Sequence, residues 1–382
     1  MNVRGILDLL RLHGPCSRAD LVRYSGLRAP TVSSAIRHLE EGGLIQFLGQ
    51  GESNGGRPPA MLQFHAESGY VVGIDIGGTL LRLAIADLNG VVKGRWANAL
   101  KPNEKEPETV CAIIDTALTR LLAETGVRRD RLIAAAVGTP GITDSERGLV
   151  VAAPNLKGWI NVPLREILQR HLKLPIAVEN DVNLAAAGEH WRGATTEEPN
   201  FVFIAIGTGV GAGIFIDGRL HRGAAWSAGE IGYLQVTGTV DSTIAVHRTG
   251  QLEDSISGKS IEQAWRKEHD GPPMRATEVL DAAGAGNPVA QKILENISLI
   301  LSHAISNIAL ILNPSVIVIG GGVGSNSNLF KSTGELIDKN EIARPRLIQS
   351  ALGADAQLFG AIFSALELAE DELVRRIAHI SR

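Results

Sequence analysis

Cysteine is nearly absent: Cys16 and Cys111 are the only two in 382 residues, and they lie far apart. That scarcity excludes a disulfide framework and a cysteine-rich metal site, and it predicts work in a reducing cytoplasm. Excess positive charge is missing too. Thirty-seven basic against 41 acidic residues give a formal net charge of −4, so the chain is not basic all over and any nucleic-acid contact must be local. Long apolar runs are also lacking: the N-terminus carries acid and base within eight residues, and the stretch Ile297 to Leu312 is broken by Ser298, Ser302, His303, Ser306 and Asn307. Neither a signal segment nor a membrane span is expected. What is present is an ordinary globular composition, 44% hydrophobic and 20% charged, in a chain long enough for two or three domains.

Glycine is abundant, with 43 residues clustered in the fifties and seventies, at 207–213 and at 320–322. The segment Gln50 to Pro59 has no apolar residue and ends in two prolines, which marks a wing or linker. We place a first domain at residues 1–64 and two α/β lobes at 65–185 and 186–382. In the first domain, Ile6, Leu9, Leu10 and Leu12 predict one helix face, Leu21 and Val22 a second, and Val32, Ile36 and Leu39 a third. Ser25-Gly26-Leu27 supplies the tight turn of a helix-turn-helix. Thr31, Ser33, Ser34 and Arg37 then face outward, with hydroxyls and a guanidinium suited to base edges in a major groove; a three-helix dimerisation bundle is the alternative. Before residue 58 there are seven arginines against five carboxylates, and after it thirty basic against thirty-six acidic residues. The sign suits a phosphate contact at the N-terminal end.

Tyr70 to Gly90 reads as two strands joined at Gly77-Gly78, and Phe201 to Gly218 repeats the plan. A constant offset of 130 superposes Ile74 on Ile204, Gly77 on Gly207 and Asp87 on Asp217. The duplication predicts two related halves whose glycine hairpins face each other across a cleft, as in actin-like and sugar-kinase folds that clamp nucleotide phosphates. Val289 to Ile308 keeps one apolar helical stripe up to Asn313-Pro314, and Val316 to Ile319 forms a short buried strand running into Gly320-Gly321-Gly322.

Asp75 alternates with Ile74 and Ile76, so its carboxylate would reach the cleft and hold Mg²⁺ or its waters. Gly77, Gly78 and Thr79 there, with Gly207, Thr208, Gly209 and Gly321 opposite, leave backbone N–H groups open to phosphate. A turn-capping aspartate is the plainer reading of Asp75. Asn180 and Asp181 sit where a strand gives way to an alanine-rich helix; Asp181 suits a general base on a sugar hydroxyl and Asn180 an orienting contact, while either also suits a helix N-cap. Glu230 and Asn155 are further hydrogen-bonding candidates for ligand hydroxyls. The histidines show no metal pairing, His247 and His269 read as surface residues, and no metal site is assigned.

In order along the chain, Arg18-Ala-Asp20, Ser25-Gly-Leu27, Thr31-Val-Ser33, Gly55-Gly-Arg57-Pro-Pro59, Asp75-Ile-Gly-Gly-Thr79, Gly138-Thr-Pro-Gly-Ile-Thr-Asp144, Glu179-Asn-Asp181, Gly207-Thr-Gly-Val-Gly211 and Gly229-Glu-Ile-Gly232 resemble the ROK family (repressor, open reading frame, kinase). The resemblance covers nearly the whole chain. It implies an α/β architecture in which a winged helix-turn-helix precedes a duplicated, actin-like (sugar kinase/RNase H-like) two-lobed domain. It further implies that Arg28 and the wing residue Arg57 join the DNA-contacting set, that Asp75 and the glycines at 77, 78, 207 and 209 form a phosphate clamp, that Asp181 is the catalytic base, and that Asn155, Asn180 and Glu230 contact sugar. Three positions depart from the family pattern: Tyr233 replaces a histidine, Gln251 replaces a cysteine of a zinc loop, and Arg28 stands where serine often caps the recognition helix. Zinc is therefore not expected.

Two functions follow. The first is a sugar-responsive DNA-binding transcriptional regulator, a repressor, that needs no cofactor, has operator DNA and a small sugar or sugar derivative as partners, and works as a homodimer or dimer of dimers. The second is an ATP-dependent sugar kinase using Mg-ATP, with the N-terminal module accessory.

Overall fold

The computed structural model describes residues 2–51, 58–153, 156–236, 249–342 and 344–380. Helices α1 (Asn2–His13), α2 (Arg18–Ser25) and α3 (Ala29–Glu41) enclose Ile6, Leu7, Leu10, Leu21, Val32, Ala35, Ile36 and Leu39. The α1 face differs from the expected one: Leu7 is buried, Leu9 half-buried, and Leu12 is 75% exposed, because 6, 7 and 10 share one helical stripe and 12 falls off it. Ser17 starts α2 with a reciprocal cap, its Oγ accepting from the Asp20 N–H at 3.2 Å while Asp20 Oδ2 accepts from the Ser17 N–H at 3.0 Å. Gly26 closes α2 in the left-handed region, φ 65°, a conformation that glycine alone adopts freely. Pro30 then opens α3, where its missing N–H would have had no helical partner.

Strands β1 (Cys16–Ser17), β2 (Ile45–Gln50) and β3 (Ala60–Phe64) form an antiparallel sheet in the order β1-β3-β2. Strands β2 and β3 pair on either side of the polar segment. Positions 52–57, Arg57 among them, lie outside the described residues.

Two five-stranded sheets follow on one plan. The first holds β4 (Tyr70–Ile76), β5 (Leu80–Asp87), β6 (Val92–Ala99), β7 (Leu132–Thr139) and, beyond a small sheet of β8 (Ile142–Asp144), β9 (Leu149–Ala152) and β10 (Ile160–Val162), β11 (Ile176–Asn180). The second holds β12 (Phe201–Ile206), β13 (Val210–Ile216), β14 (Arg219–Leu220), β15 (Val316–Gly320) and β16 (Arg346–Gln349). Their orders, β11-β7-β4-β5-β6 and β14-β13-β12-β15-β16, are mirror-written forms of the same scheme: a three-stranded antiparallel meander extended by two parallel strands. The halves are thus duplicated in topology.

The gapless offset of 130 holds only for the first strand of each hairpin. Ile76 pairs with Leu81, whereas Ile206 pairs with Val210, so the second turn is one residue shorter. Asp217 consequently falls beyond its strand, at φ 52°, and is not the counterpart of Asp87, which stays in the ladder opposite Tyr70.

Helices α4 (Pro107–Thr125) and α5 (Leu164–Leu172) cover one face of the first sheet. The second sheet is covered by α7 (Gln251–Ile256), α8 (Gly258–Glu268), α9 (Ala276–Gly284), α10 (Pro288–Leu312) and α12 (Ser327–Ile337), with the short α11 (Gly321–Gly324) at its edge. Helix α10 ends at Asn313, φ 44°, as the stripe predicts. It is the one described helix long and apolar enough to cross a membrane, and half of its apolar window is buried inside the protein.

Between the sheets lie α6 (Asp181–Arg192) and α13 (Ala356–Ile380). Chain order and lobe part company here: α13 ends the sequence yet packs on the first sheet. Leu358, Ile362, Ala365, Ala369 and Leu373 share one apolar cluster with Val71, Ala84 and Ala134 and with the winged-helix core. The two helices cross with their backbones in contact. A Cβ on Gly360 would stand 1.8 Å from the Leu184 carbonyl oxygen, and one on Gly188 would stand 2.3 Å from that of Ala356. Gly360→Ala should therefore cost at least ~2 kcal/mol in urea unfolding by overpacking, while Gly334→Ala on α12, which meets open space, should gain about 0.5–1 kcal/mol. Equal effects of the two substitutions would remove the crossing from the account.

Candidate functional site

The end of β11, the β12–β13 turn, the loop after β14 and the starts of α6, α7, α11 and α13 enclose a cavity of about 250 Å³. Among the described residues its lining includes Asp181, Glu230 and Glu253, the amides Asn180, Asn183 and Gln357, and the aromatic side chains Trp226 and Tyr233, but no lysine, arginine or histidine.

Asn180 is the N-cap of α6: its Oδ1 accepts from the Val182 and Asn183 N–H groups at 2.8 and 3.0 Å, and its Nδ2 donates to the Gly141 carbonyl at 2.9 Å. The capping alternative is therefore realised, and little of this amide is left for a ligand. Asp181 begins the helix. Burial pushes its carboxyl up to about 7, with further contributions from the negative charges of Asp75 and Glu230. A carboxyl poised near neutrality can take or share the proton of a hydroxyl. Burial, then the charge of Glu253, raises Glu230 to about 6. Asn155 lies outside the described residues.

Three contributors escaped the sequence reading. Glu253 on α7 reaches the cavity and accepts from the Val210 N–H at 2.9 Å; its segment had drawn attention only as the remnant of a metal loop. Buried Glu179 accepts from the Asn180 N–H at 2.9 Å, from Asn183 Nδ2 at 3.0 Å and from Arg222 Nε at 2.6 Å. It thereby ties the β11–α6 corner to the loop that carries Trp226 and Glu230. Gln357, the second residue of α13, brings that helix to the cavity wall.

The nucleotide set divides. Gly207, Thr208, Gly209 and Gly321 line the cavity, whereas Gly77, Gly78, Thr79 and Asp75 do not. Lys105 Nζ donates to the Gly78 carbonyl at 2.6 Å, and Thr79 is exposed. Asp75, 3% exposed, is bound by Arg82 through Nε at 2.8 Å and Nη2 at 2.7 Å. The glycine turn suits phosphate, and both guanidinium contacts fall on Asp75 Oδ2, so Arg82 competes with a hydrated Mg²⁺ for that oxygen. Among the described residues no zinc ligand set is gathered. Tyr233 and Gln251 offer a phenol and an amide, and the two cysteines are buried elsewhere, Cys111 with its thiol pushed up by burial to about 12. Positions 237–248, including His247, lie outside the described residues. His269 is not a loose surface residue; its ring stacks on Trp265 at 4.1 Å.

In the winged helix, Arg28 at the N-cap of α3 and Arg37 on it are exposed, and among the described residues neither has an ion-pair partner, whereas Arg23 is held by Asp20 at 2.7 Å. Thr31, Ser33 and Ser34 are half-buried at the flanks rather than fully outward, because Val32, Ala35 and Ile36 take up the inner face between them.

A helix-turn-helix head on two duplicated lobes, with an acid-lined cleft between them, defines a class: a DNA-reading module joined to a sugar-kinase-type domain. The chain belongs to the ROK family, whose profile matches residues 71–367; the MarR family profile matches residues 5–49. The chain is 30% identical over 335 residues to a xylose repressor of Caldicellulosiruptor bescii, covering 82% of this chain and 81% of that one. It is 32% identical over 311 residues to a glucokinase of Halalkalibacterium halodurans, covering 76% and 93%. A solved ROK family transcriptional regulator, a homologue of the E. coli MLC protein, superposes with a TM-score of 0.81 at 24% identity over 99% of this chain and 98% of that one. That likeness extends the shared fold through the head.

Raised carboxyl pKa values make stability depend on pH. Asp181 and Glu230 hold protons in the folded chain that they release when unfolded, so stability falls as pH rises from about 4 to about 7. Asp181→Asn, neutral throughout and still able to accept from the Val182 N–H, should raise the melting temperature at pH 8 by a few degrees and lose that advantage at pH 4. A pH-independent difference would contradict the electrostatic origin.

Proposed function

We propose that the chain is a sugar-responsive transcriptional repressor whose two-lobed domain senses a neutral monosaccharide and whose winged helix reads operator DNA. One observation carries this reading: α13 begins at the cavity with Gln357 and, thirteen residues later, holds the head. Glu370 pairs with Arg4 at 2.9 Å and with Arg11 at 3.3 Å, and Asp371 pairs with Arg4 at 3.5 Å. A sugar that favours one placement of α13 shifts the placement of α3. Homodimerisation would set two such heads about 34 Å apart for a palindromic site.

The lining supports a ligand of hydroxyls rather than anions. Among the described residues three carboxyl groups and no cation line the cavity, a balance that disfavours a sugar phosphate, while a neutral aldose offers donors to Asp181, Glu230 and Glu253. D-Xylose is the first ligand to try, since the C. bescii relative is a xylose repressor. The kinase reading draws on Asp181 and the glycine turn, and the Arg82–Asp75 pair counts against it.

The test uses a duplex selected from random DNA by the full chain, followed by fluorescence anisotropy with and without D-xylose. We expect sugar to change the DNA affinity by about tenfold or more, equivalent to ~1.4 kcal/mol, and Arg37→Ala to weaken DNA binding by about 1–3 kcal/mol if it reads a base. Sugar-independent DNA binding together with steady ATP-dependent sugar phosphorylation would replace the repressor by the kinase.

A further inference from the structure

Five tryptophans occur in the chain, and four are engaged within it. Trp96 packs against the first-lobe core, and Trp159 donates to the Lys105 carbonyl at 2.7 Å. Trp191 lies against Phe359 and Phe363, while Trp265 donates to the Pro272 carbonyl at 3.1 Å and stacks on His269. Trp226 has neither a hydrogen bond nor a ring partner among the described residues, and it is half-buried in the cavity wall.

Its backbone is in the left-handed region, φ 59°, between Gly223 at φ 73° and Gly229 at φ 90°. A bulky L-residue is disfavoured there, and such outliers persist where the surroundings impose them. The surroundings do so at both ends of the loop. Arg222 is tied to Glu179 at 2.6 Å. The Gly229 carbonyl accepts from the Ala212 N–H at 2.7 Å, and a Cβ on Gly229 would come within 1.9 Å of the Ala212 oxygen. The loop is thus held from both lobes, with an unattached indole in the wall of the cavity that the acids also line.

We propose that Trp226 is the wall on which the C–H face of the sugar ring stacks, so that this residue sets which monosaccharides the cavity accepts. The negative face of the indole attracts the polarised C–H bonds of a pyranose whose hydroxyls point outward around its rim, and Asp181, Glu230 and Glu253 are placed to take those hydroxyls. Aldopyranoses with equatorial hydroxyls, such as D-xylose and D-glucose, present such a face; sugars with an axial hydroxyl on it do not. The inference rests on the sugar-sensor reading and names the side chain that gives it selectivity.

Calorimetric titration of the full chain with D-xylose and D-glucose tests it, together with tryptophan emission and thermal melting. Wild-type emission should change saturably with sugar, and the change should vanish in Trp226→Phe, which keeps a ring and should bind within about threefold of wild type. Trp226→Ala should weaken binding by about tenfold or more with a melting temperature no lower than wild type, because the strained indole is not a core residue. An unchanged Trp226→Ala isotherm overturns the assignment alone, as does loss of affinity accompanied by a lower melting temperature. Absence of saturable sugar binding by the wild-type chain overturns the sensor reading and the assignment with it.

Discussion

The backbone contact of α6 with α13 is the constraint on which the molecule's organisation depends. Gly188 and Gly360 bring the two helices closer than any side chain would permit, and each helix has one end at the cavity: α6 through Asp181 and α13 through Gln357. Packing at that density transmits displacement rather than absorbing it. Because α13 lies on the first sheet and its far half clasps α1 through Glu370 and Asp371, the cavity and the DNA-reading head share a single rigid member. The apolar cluster running from the winged helix through α13 to Val71 and Ala84 makes the same point without charges.

Electrostatics divides the cleft in two. On the side of α6 and α7, three carboxyl groups with raised proton affinity gather with no cation among the described lining residues, an environment that welcomes hydroxyl donors and disfavours anions. On the side of the first hairpin, Asp75 is neutralised by Arg82, which also donates to the Ala354 carbonyl and to Gln357 Oε1. The guanidinium thus links Asp75 to the start of α13.

Much of this was legible in the sequence. The duplicated hairpins, the helix-turn-helix and the α10 stripe all rest on local periodicity, and all three are present, the second hairpin with a turn one residue shorter and α1 with Leu7 rather than Leu12 on its inner face. The reading ran out wherever the decisive partner is distant in the chain. Arg82 looks like one more strand residue until Ala354 and Gln357 arrive beside it, and Glu253 belongs to the cavity only because α7 folds back onto Val210. Gly360 is an unremarked helix glycine until Leu184 lies against it. The one-residue difference between the two turns was hidden because a gapless offset still matched Leu80 with Val210, Ile85 with Phe215 and Asp87 with Asp217. Asn180 shows a different limit: cap and ligand contact demand the same residue at the same place, and only its hydrogen bonds separate them.

The central claim is that α13 carries the state of the cavity to the head through Glu370. The most direct measurement is the ratio of DNA affinities with and without D-xylose in Glu370→Gln, set against the same ratio in the wild-type chain. The account predicts that the variant still binds sugar and still binds DNA, while the ratio falls toward one because the Arg4 and Arg11 pairs no longer fix the head to the helix. A ratio equal to that of the wild type, with both ligands bound normally, would show that the signal travels by another route.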